Sequence, residues 1–149
     1  RPSWVKIVID HVSGSRRGQR QELRQADRVS FGRHPRCTVS FDAHRDLDVS
    51  SRHAELRVDA DSATLVDIGS SNGTFVGGVQ VLERRIEPRN RVMVEFGSGG
   101  PQVALWVGAD DDAAPPAMSG QRSRLPLLLW LGLAVLAIAF GVVIAQVFR

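Results

Sequence analysis

No stretch between Trp4 and Val107 holds its apolar residues in step with a helix over a useful length; short runs with strand character follow one another instead. Trp4 to Val12 is rich in β-branched residues and is closed by Gly14-Ser15. Gln19–Gln25 and Arg28–Phe31 read as edge or half-buried strands, and Val39–Phe41, Ala54–Val58 and Thr64–Asp67 follow at regular intervals. Thr74–Val76, a Gly77-Gly78 turn, Val79–Leu82, Arg91–Phe96 and Val103–Val107 complete the series. About eleven short strands divided by Gly, Asp and Ser predict an all-β fold over residues 1–108, an antiparallel sandwich or barrel.

Beyond residue 108 the composition changes twice. Residues 109–124 carry three consecutive Asp, then Ala-Ala-Pro-Pro, then Ser, Gly and Arg, the make-up of a flexible linker. Leu127 to Phe148 is unbroken by charge, with Gln146 its only strongly polar side chain. As a helix it would reach about 33 Å, close to the hydrocarbon thickness of a bilayer. A single β-domain offers nothing to cover such a helix on all sides. A transmembrane helix over residues 125–148 is therefore expected, with the lipid bilayer as a partner. Arg122 and Arg124 on the near side, against Arg149 alone on the far side, predict a single-pass membrane protein with its head on the cytoplasmic side. Ala137, Gly141 and Ala145 recur every four residues, as Ala and Gly ordinarily do in membrane helices.

The net charge is +3, but acidic residues are interspersed with basic ones throughout the head, which argues for a soluble surface and against nucleic acid. Cys37 is the only cysteine, so the chain forms no internal disulfide and builds no zinc site from thiolates. A reducing cytosol suits it. The first residue is Arg1, without an initiator Met, and sequence upstream of it is expected.

Three turns gather the residues with binding chemistry: Gly32-Arg33, Ser50-Ser51-Arg52-His53 and Ser70-Ser71-Asn72-Gly73-Thr74. In this order and between strands, Gly32-Arg33, Ser50-x-x-His53 and Ser71-Asn72-Gly73-Thr74 resemble the signature of the forkhead-associated (FHA) domain family, over about Trp4 to Val107. The resemblance implies an eleven-stranded antiparallel β-sandwich whose loops at one end bind phosphothreonine peptides. It also implies a partner phosphorylated by a separate Ser/Thr kinase, and no cofactor or metal.

The residue types suit that task. A phosphothreonine carries about −1.5 to −2 charge and three acceptor oxygens, so its site needs donors and positive charge. Arg33 offers a planar fork of N–H donors. The resemblance assigns Ser50 a hydrogen bond to the phosphate and makes Ser51 a second candidate. It assigns Ser71 and Asn72 contacts to the phosphopeptide and its main chain, and an amide side chain both donates and accepts. Gly32 and Gly73 are expected to be architectural, allowing close backbone approach and a tight turn. His53 is expected to hold the binding loops by hydrogen bonds.

Ser50 and His53 also stand at a spacing that suggests a serine hydrolase. A hydrolase would also need an oxyanion hole and a third residue orienting the histidine, and no Gly-x-Ser-x-Gly elbow accompanies them, so no enzyme is expected. Asp42, Asp46 and Asp48 lie in a long segment between Arg33 and Ser50, where carboxylates are expected to weaken an anion site. That makes a phosphate-independent scaffold subunit of a membrane assembly, such as a secretion or cell-envelope complex, the alternative to a phosphothreonine reader. The only threonines, Thr38, Thr64 and Thr74, lie within the expected fold, so the ligand is expected in trans or upstream of Arg1.

Overall fold

The computed structural model describes residues 5–60 and 62–118. The expected transmembrane helix over 125–148, and residues 119–124 of the expected linker, lie outside them. Among the described residues no helix is long and apolar enough to cross a membrane.

Eleven strands follow in chain order: β1 (Lys6–His11), β2 (Arg20–Arg24), β3 (Arg28–Gly32), β4 (Val39–Ser40), β5 (Ala54–Val58), β6 (Ala63–Asp67), β7 (Thr74–Val76), β8 (Val79–Val81), β9 (Glu83–Ile86), β10 (Arg91–Phe96) and β11 (Gln102–Gly108). They form a six-stranded sheet in the order β2-β1-β11-β10-β7-β8 and a five-stranded sheet in the order β4-β3-β5-β6-β9. Apolar residues on the facing sides make the core, among them Ile7, Ile9, Leu56, Leu65, Val103 and Leu105. Alternation along each strand dictates that face, since successive side chains point to opposite sides.

The expectation of an antiparallel sandwich needs one correction. Phe31 and Gly32 pair with Val39 and Ser40 in parallel. The side chains of Ser30 and Thr38 explain this: Thr38 N donates to Ser30 Oγ at 2.9 Å and Ser30 N to Thr38 Oγ1 at 3.2 Å. These bonds bring the chain back beside β3 after the 33–38 turn, and it then continues in the same direction. Strand β9 has no counterpart among the expected runs. Three of its four residues are charged and exposed, and only Ile86 is buried, so its place at the sheet edge rests on backbone pairing with β6.

Three phenylalanines close the core beneath the loops. Phe96 stacks on Phe31 and tilts against Phe41, with ring centroids 5.1 Å apart in each pair. The loops β3–β4, β4–β5 and β6–β7 converge above this floor.

The segment expected to act as a free linker from residue 109 does not do so over its described part. Residues 109–118 turn at Asp112, whose carboxylate takes Ala109 N at 2.7 Å and Arg89 Nε at 2.8 Å. The chain then runs back across the outer face of the six-stranded sheet. Lys6 Nζ donates to Asp112 O, Arg20 Nη2 to Pro115 O, Arg91 Nη2 to Pro116 O, and Met118 N to Asp10 Oδ2. Under this strap Val8 and Trp106 are 0% and 4% exposed although they face away from the core. Asp10 is also buried there. Burial opposes its charge, but the Arg20 fork at 2.6 and 2.8 Å, together with Arg91, holds its carboxyl below the usual range. Truncation after Gly108 uncovers this strip and is expected to cost about 2 to 4 kcal/mol, from the roughly 1.5 to 3 kcal/mol that burial of one large apolar side chain contributes. Thermal unfolding of chains ending at 108 and at 118 checks it; equal Tm values would mean that the strap contributes nothing.

Candidate functional site

Gly32 ends β3 where the loop that follows Ser50 lies against it. A Cβ on Gly32 would sit 2.2 Å from the Ser51 carbonyl oxygen and 3.1 Å from Arg52 Cα, so only glycine permits this approach. Arg33 N then donates to Ser50 O at 3.1 Å, and His34 N to Ser51 O at 2.9 Å. The Arg33 side chain turns toward the 42–49 segment, where Nε donates to Val49 O at 2.5 Å and Nη1 to Ala43 O at 2.9 Å. Two of its five N–H donors are thereby used, and the guanidinium is held in one orientation while still half-exposed.

Ser50 and His53 are joined in a way that fixes the tautomer of the imidazole. Ser50 N donates to His53 Nδ1 at 3.0 Å, and a backbone N–H can only donate. His53 Nε2 therefore carries the proton and donates to Gly73 O at 2.9 Å. The ring is fully buried, edge-on to Phe96 at 5.3 Å. Burial pushes its pKa below the ordinary value, outweighing the upward pull of the Gly73 carbonyl and Asp67. One neutral imidazole thus ties the second loop to the third. Gly73 adopts φ +84, and a Cβ there would lie 2.6 Å from Gln80 Nε2.

The third loop closes over the second. Ser71 N donates to Ser50 Oγ at 3.0 Å, and Asn72 Nδ2 to Asp48 O at 3.0 Å. Arg33, Ser71 and Asn72 consequently grip three successive residues, Val49, Ser50 and Asp48, so Arg33, Ser50, Ser71 and Asn72 come together at one place. Ser51 and Ser71 are exposed, and among the described residues their hydroxyls have no partner. Asn72 differs in part from expectation, because one amide hydrogen already braces the loops.

Asp67 belongs to the site's support and was not singled out from the sequence. Its carboxylate accepts from Gly69 N at 2.9 Å, Ser70 N at 2.8 Å, Ser70 Oγ at 2.5 Å and Thr74 Oγ1 at 2.7 Å. Burial is the largest single influence on its pKa and raises it, but the donors from Ser70, Thr74 and Gly69 together win and leave it below the usual value. The signal lay in Asp67-Ile68-Gly69-Ser70, an aspartate able to bond the backbone two residues on.

The acidic segment is tied into the loop by its own side chains. Asp42 Oδ1 takes the N–H groups of His44 and Arg45 at 2.8 and 3.0 Å. Asp46 is 4% exposed and takes Ser15 N and Asp42 N, both at 3.0 Å, and the Ser15 hydroxyl. Two of the three carboxylates therefore build the loop that supplies carbonyls to Arg33.

What remains unused is donor-rich. Arg33 keeps three N–H groups, and Ser50 Oγ has its acceptor role filled by Ser71 N, which leaves its proton to give. Ser71, whose N–H holds Ser50 Oγ, is itself exposed. Such a set suits an oxyanion on an exposed chain.

Comparison with known proteins agrees with this geometry. The family model described as FHA domain matches residues 29–97. The glycogen accumulation regulator GarA of Mycobacterium tuberculosis is 44% identical over 75 residues, covering 50% of this chain and 43% of that protein. An oxoglutarate dehydrogenase inhibitor of Corynebacterium glutamicum is 38% identical over 69 residues, covering 46% of this chain and 41% of that protein. The chain thus spans about two fifths of the length of these curated relatives. Among solved structures, the FhaA FHA domain, complexed with the intracellular domain of another protein, is 26% identical with a TM-score of 0.54, covering 66% of this chain and 98% of that one. The FHA domain of an Arabidopsis thaliana hypothetical protein shares the fold with a TM-score of 0.60 at 17% identity, covering 77% of this chain and 94% of that one. The FHA-domain match over residues 29–97 takes in all three loops, and the sandwich that presents them has the fold of solved FHA domains.

Proposed function

We propose that this chain is a non-catalytic reader of phosphothreonine peptides, with Arg33, Ser50, Ser51, Ser71 and Asn72 as its contacts. The observation that carries the reading is the fixing of Arg33 and Ser50 around residues 48–50 with their remaining donors free. The phosphate enters a site whose positive charge and hydroxyls are already oriented, so little ordering accompanies binding. Hydrogen bonds to a charged group contribute about 1.5 to 3 kcal/mol each, against about 8 kcal/mol in total for a micromolar complex. Phosphate therefore decides whether binding is detectable.

The ligand is a protein phosphorylated by a separate Ser/Thr kinase. The apolar sequence of 125–148 tethers the chain to a membrane, with the head on the cytoplasmic side, and recruitment of phosphorylated partners to that surface is the role. The relatives, a regulator and an inhibitor by name, are consistent with a binding module that controls other proteins.

Titrating the whole chain in detergent with paired peptides, one carrying phosphothreonine and one threonine, tests the reading. At least about a hundredfold preference for the phosphorylated member is expected from two or more charge-assisted bonds. Equal affinities would return the phosphate-independent scaffold.

A further inference from the structure

A second group of cations lies beside Arg33 and is not used by the site described above. A cavity of about 210 Å³ opens against the outer face of the five-stranded sheet, lined by Arg28, His34, Arg36 and Arg52 together with Ser30 and Glu55. We propose that this cavity is a second anion subsite, which takes a carboxylate or a second phosphate close to the phosphothreonine on the same peptide.

Position is the first argument. Arg33 and His34 are neighbours at the start of the turn that follows β3, bonded in sequence to Ser50 O and Ser51 O. Arg33 is directed to Val49 and Ala43, whereas His34 lines the cavity. The close approach at Gly32 brings Arg52 to the same place. The two anion sites are therefore reached from adjacent residues of one turn. A peptide lying extended across the loops advances about 3.3 Å per residue, so a group within a few residues of the phosphothreonine reaches the cavity.

Charge is the second argument. Glu55 is the only carboxylate in the lining, and its Oε2 is shared by Arg28 at 4.0 Å and Arg57 at 3.2 Å. Arg36 and Arg52 are exposed, and among the described residues neither side chain makes a hydrogen bond or ion pair. Elsewhere on this molecule Arg20, Arg24 and Arg89 each meet an aspartate. Two unpaired guanidiniums at the mouth of a cavity, next to a phosphate site, favour further negative charge.

The inference rests on the phosphothreonine reading, and the test separates the two. The whole chain is titrated with four peptides of one sequence: unphosphorylated, phosphothreonine with neutral neighbours, phosphothreonine with glutamates within three residues on either side, and a doubly phosphorylated form. About a tenfold gain is expected for the doubly phosphorylated peptide over the neutral-flanked one, and a smaller gain for the glutamate peptide, each charge-assisted contact being worth about tenfold or less at an exposed site. In the double variant Arg36→Gln/Arg52→Gln, whose surface positions leave the core untouched, that ratio should fall toward one. A phosphate-dependent chain with no preference for the acidic peptides, or a preference that survives in the double variant, overturns the subsite alone. Equal binding of all four peptides removes both readings. Loss by the double variant of binding to anionic lipid vesicles, with unchanged peptide ratios, would assign the cavity to headgroups and overturn the proposal.

Discussion

Arg33→Ala should lower affinity for a phosphothreonine peptide by at least about a hundredfold, because two charge-assisted hydrogen bonds of about 1.5 to 3 kcal/mol each disappear with the fork. The same substitution releases the carbonyls of Val49 and Ala43, so the loop that presents Ser50 loses its brace. Arg33→Lys distinguishes the two effects. It keeps a point charge but cannot bond Val49 and Ala43 as a planar group while leaving donors for phosphate, and only partial recovery is expected. Calorimetric titration of both variants reads the difference. Full binding by the alanine variant would remove the phosphate site as described here and leave a scaffold in its place.

His53→Ala should be the most damaging single change to the head. It leaves Ser50 N without its acceptor and Gly73 O without one of its two donors, and it opens space against Phe96. A buried orphaned polar group costs about 1 to 3 kcal/mol, and deletion of a large buried side chain costs several more. A total of about 3 to 5 kcal/mol corresponds to a fall in Tm of roughly 15 °C or more for a domain of this size. The ring also confers pH dependence. Because its folded-state pKa lies below the ordinary value of 6.5, the unfolded chain binds the proton more readily. The stabilisation is complete above about pH 6.5 and is lost as pH falls from there toward the folded-state value. His11, buried and shifted in the same direction chiefly by burial, adds to the trend. Protonated His53 would set an N–H on Nδ1 against the Ser50 N–H, so peptide affinity should weaken over the same range. A Tm unchanged between pH 7.5 and 5 would contradict this account.

Residues that speak through local chemistry were legible in advance. Thr74–Val76 and Arg91–Phe96 stand as strands with the bounds expected, because alternation and flanking glycines mark them. Gly32, Arg33, Ser50, His53 and Asn72 could be placed at one end of the sandwich because the motif they form resembles that of the forkhead-associated family, and their residue types suit a turn that meets an anion. Glu83–Ile86 could not be read as a strand, since an exposed edge held by backbone bonds places no apolar demand on its side chains. The parallel pairing of β3 with β4 rests on two hydroxyls eight positions apart, a reciprocal contact that no periodicity reveals. The loop-building roles of Asp42 and Asp46 could not be read, because their partners, including Ser15, are contacts within a loop and across the fold. Residues 109–118 had a linker's composition and yet pack, because Lys6, Arg20 and Arg91 await them on a distant strand face.

The strap shortens any leash. With residues 109–118 laid on the sheet, only 119–124 separate the head from the apolar segment, and six residues drawn out to the full cover no more than about 20 to 22 Å. A head tethered in this way would patrol a thin layer beside the lipid, where phosphorylated neighbours anchored in the same plane are met at high local concentration. Its choice of ligand would then depend on who shares the bilayer as much as on the peptide sequence.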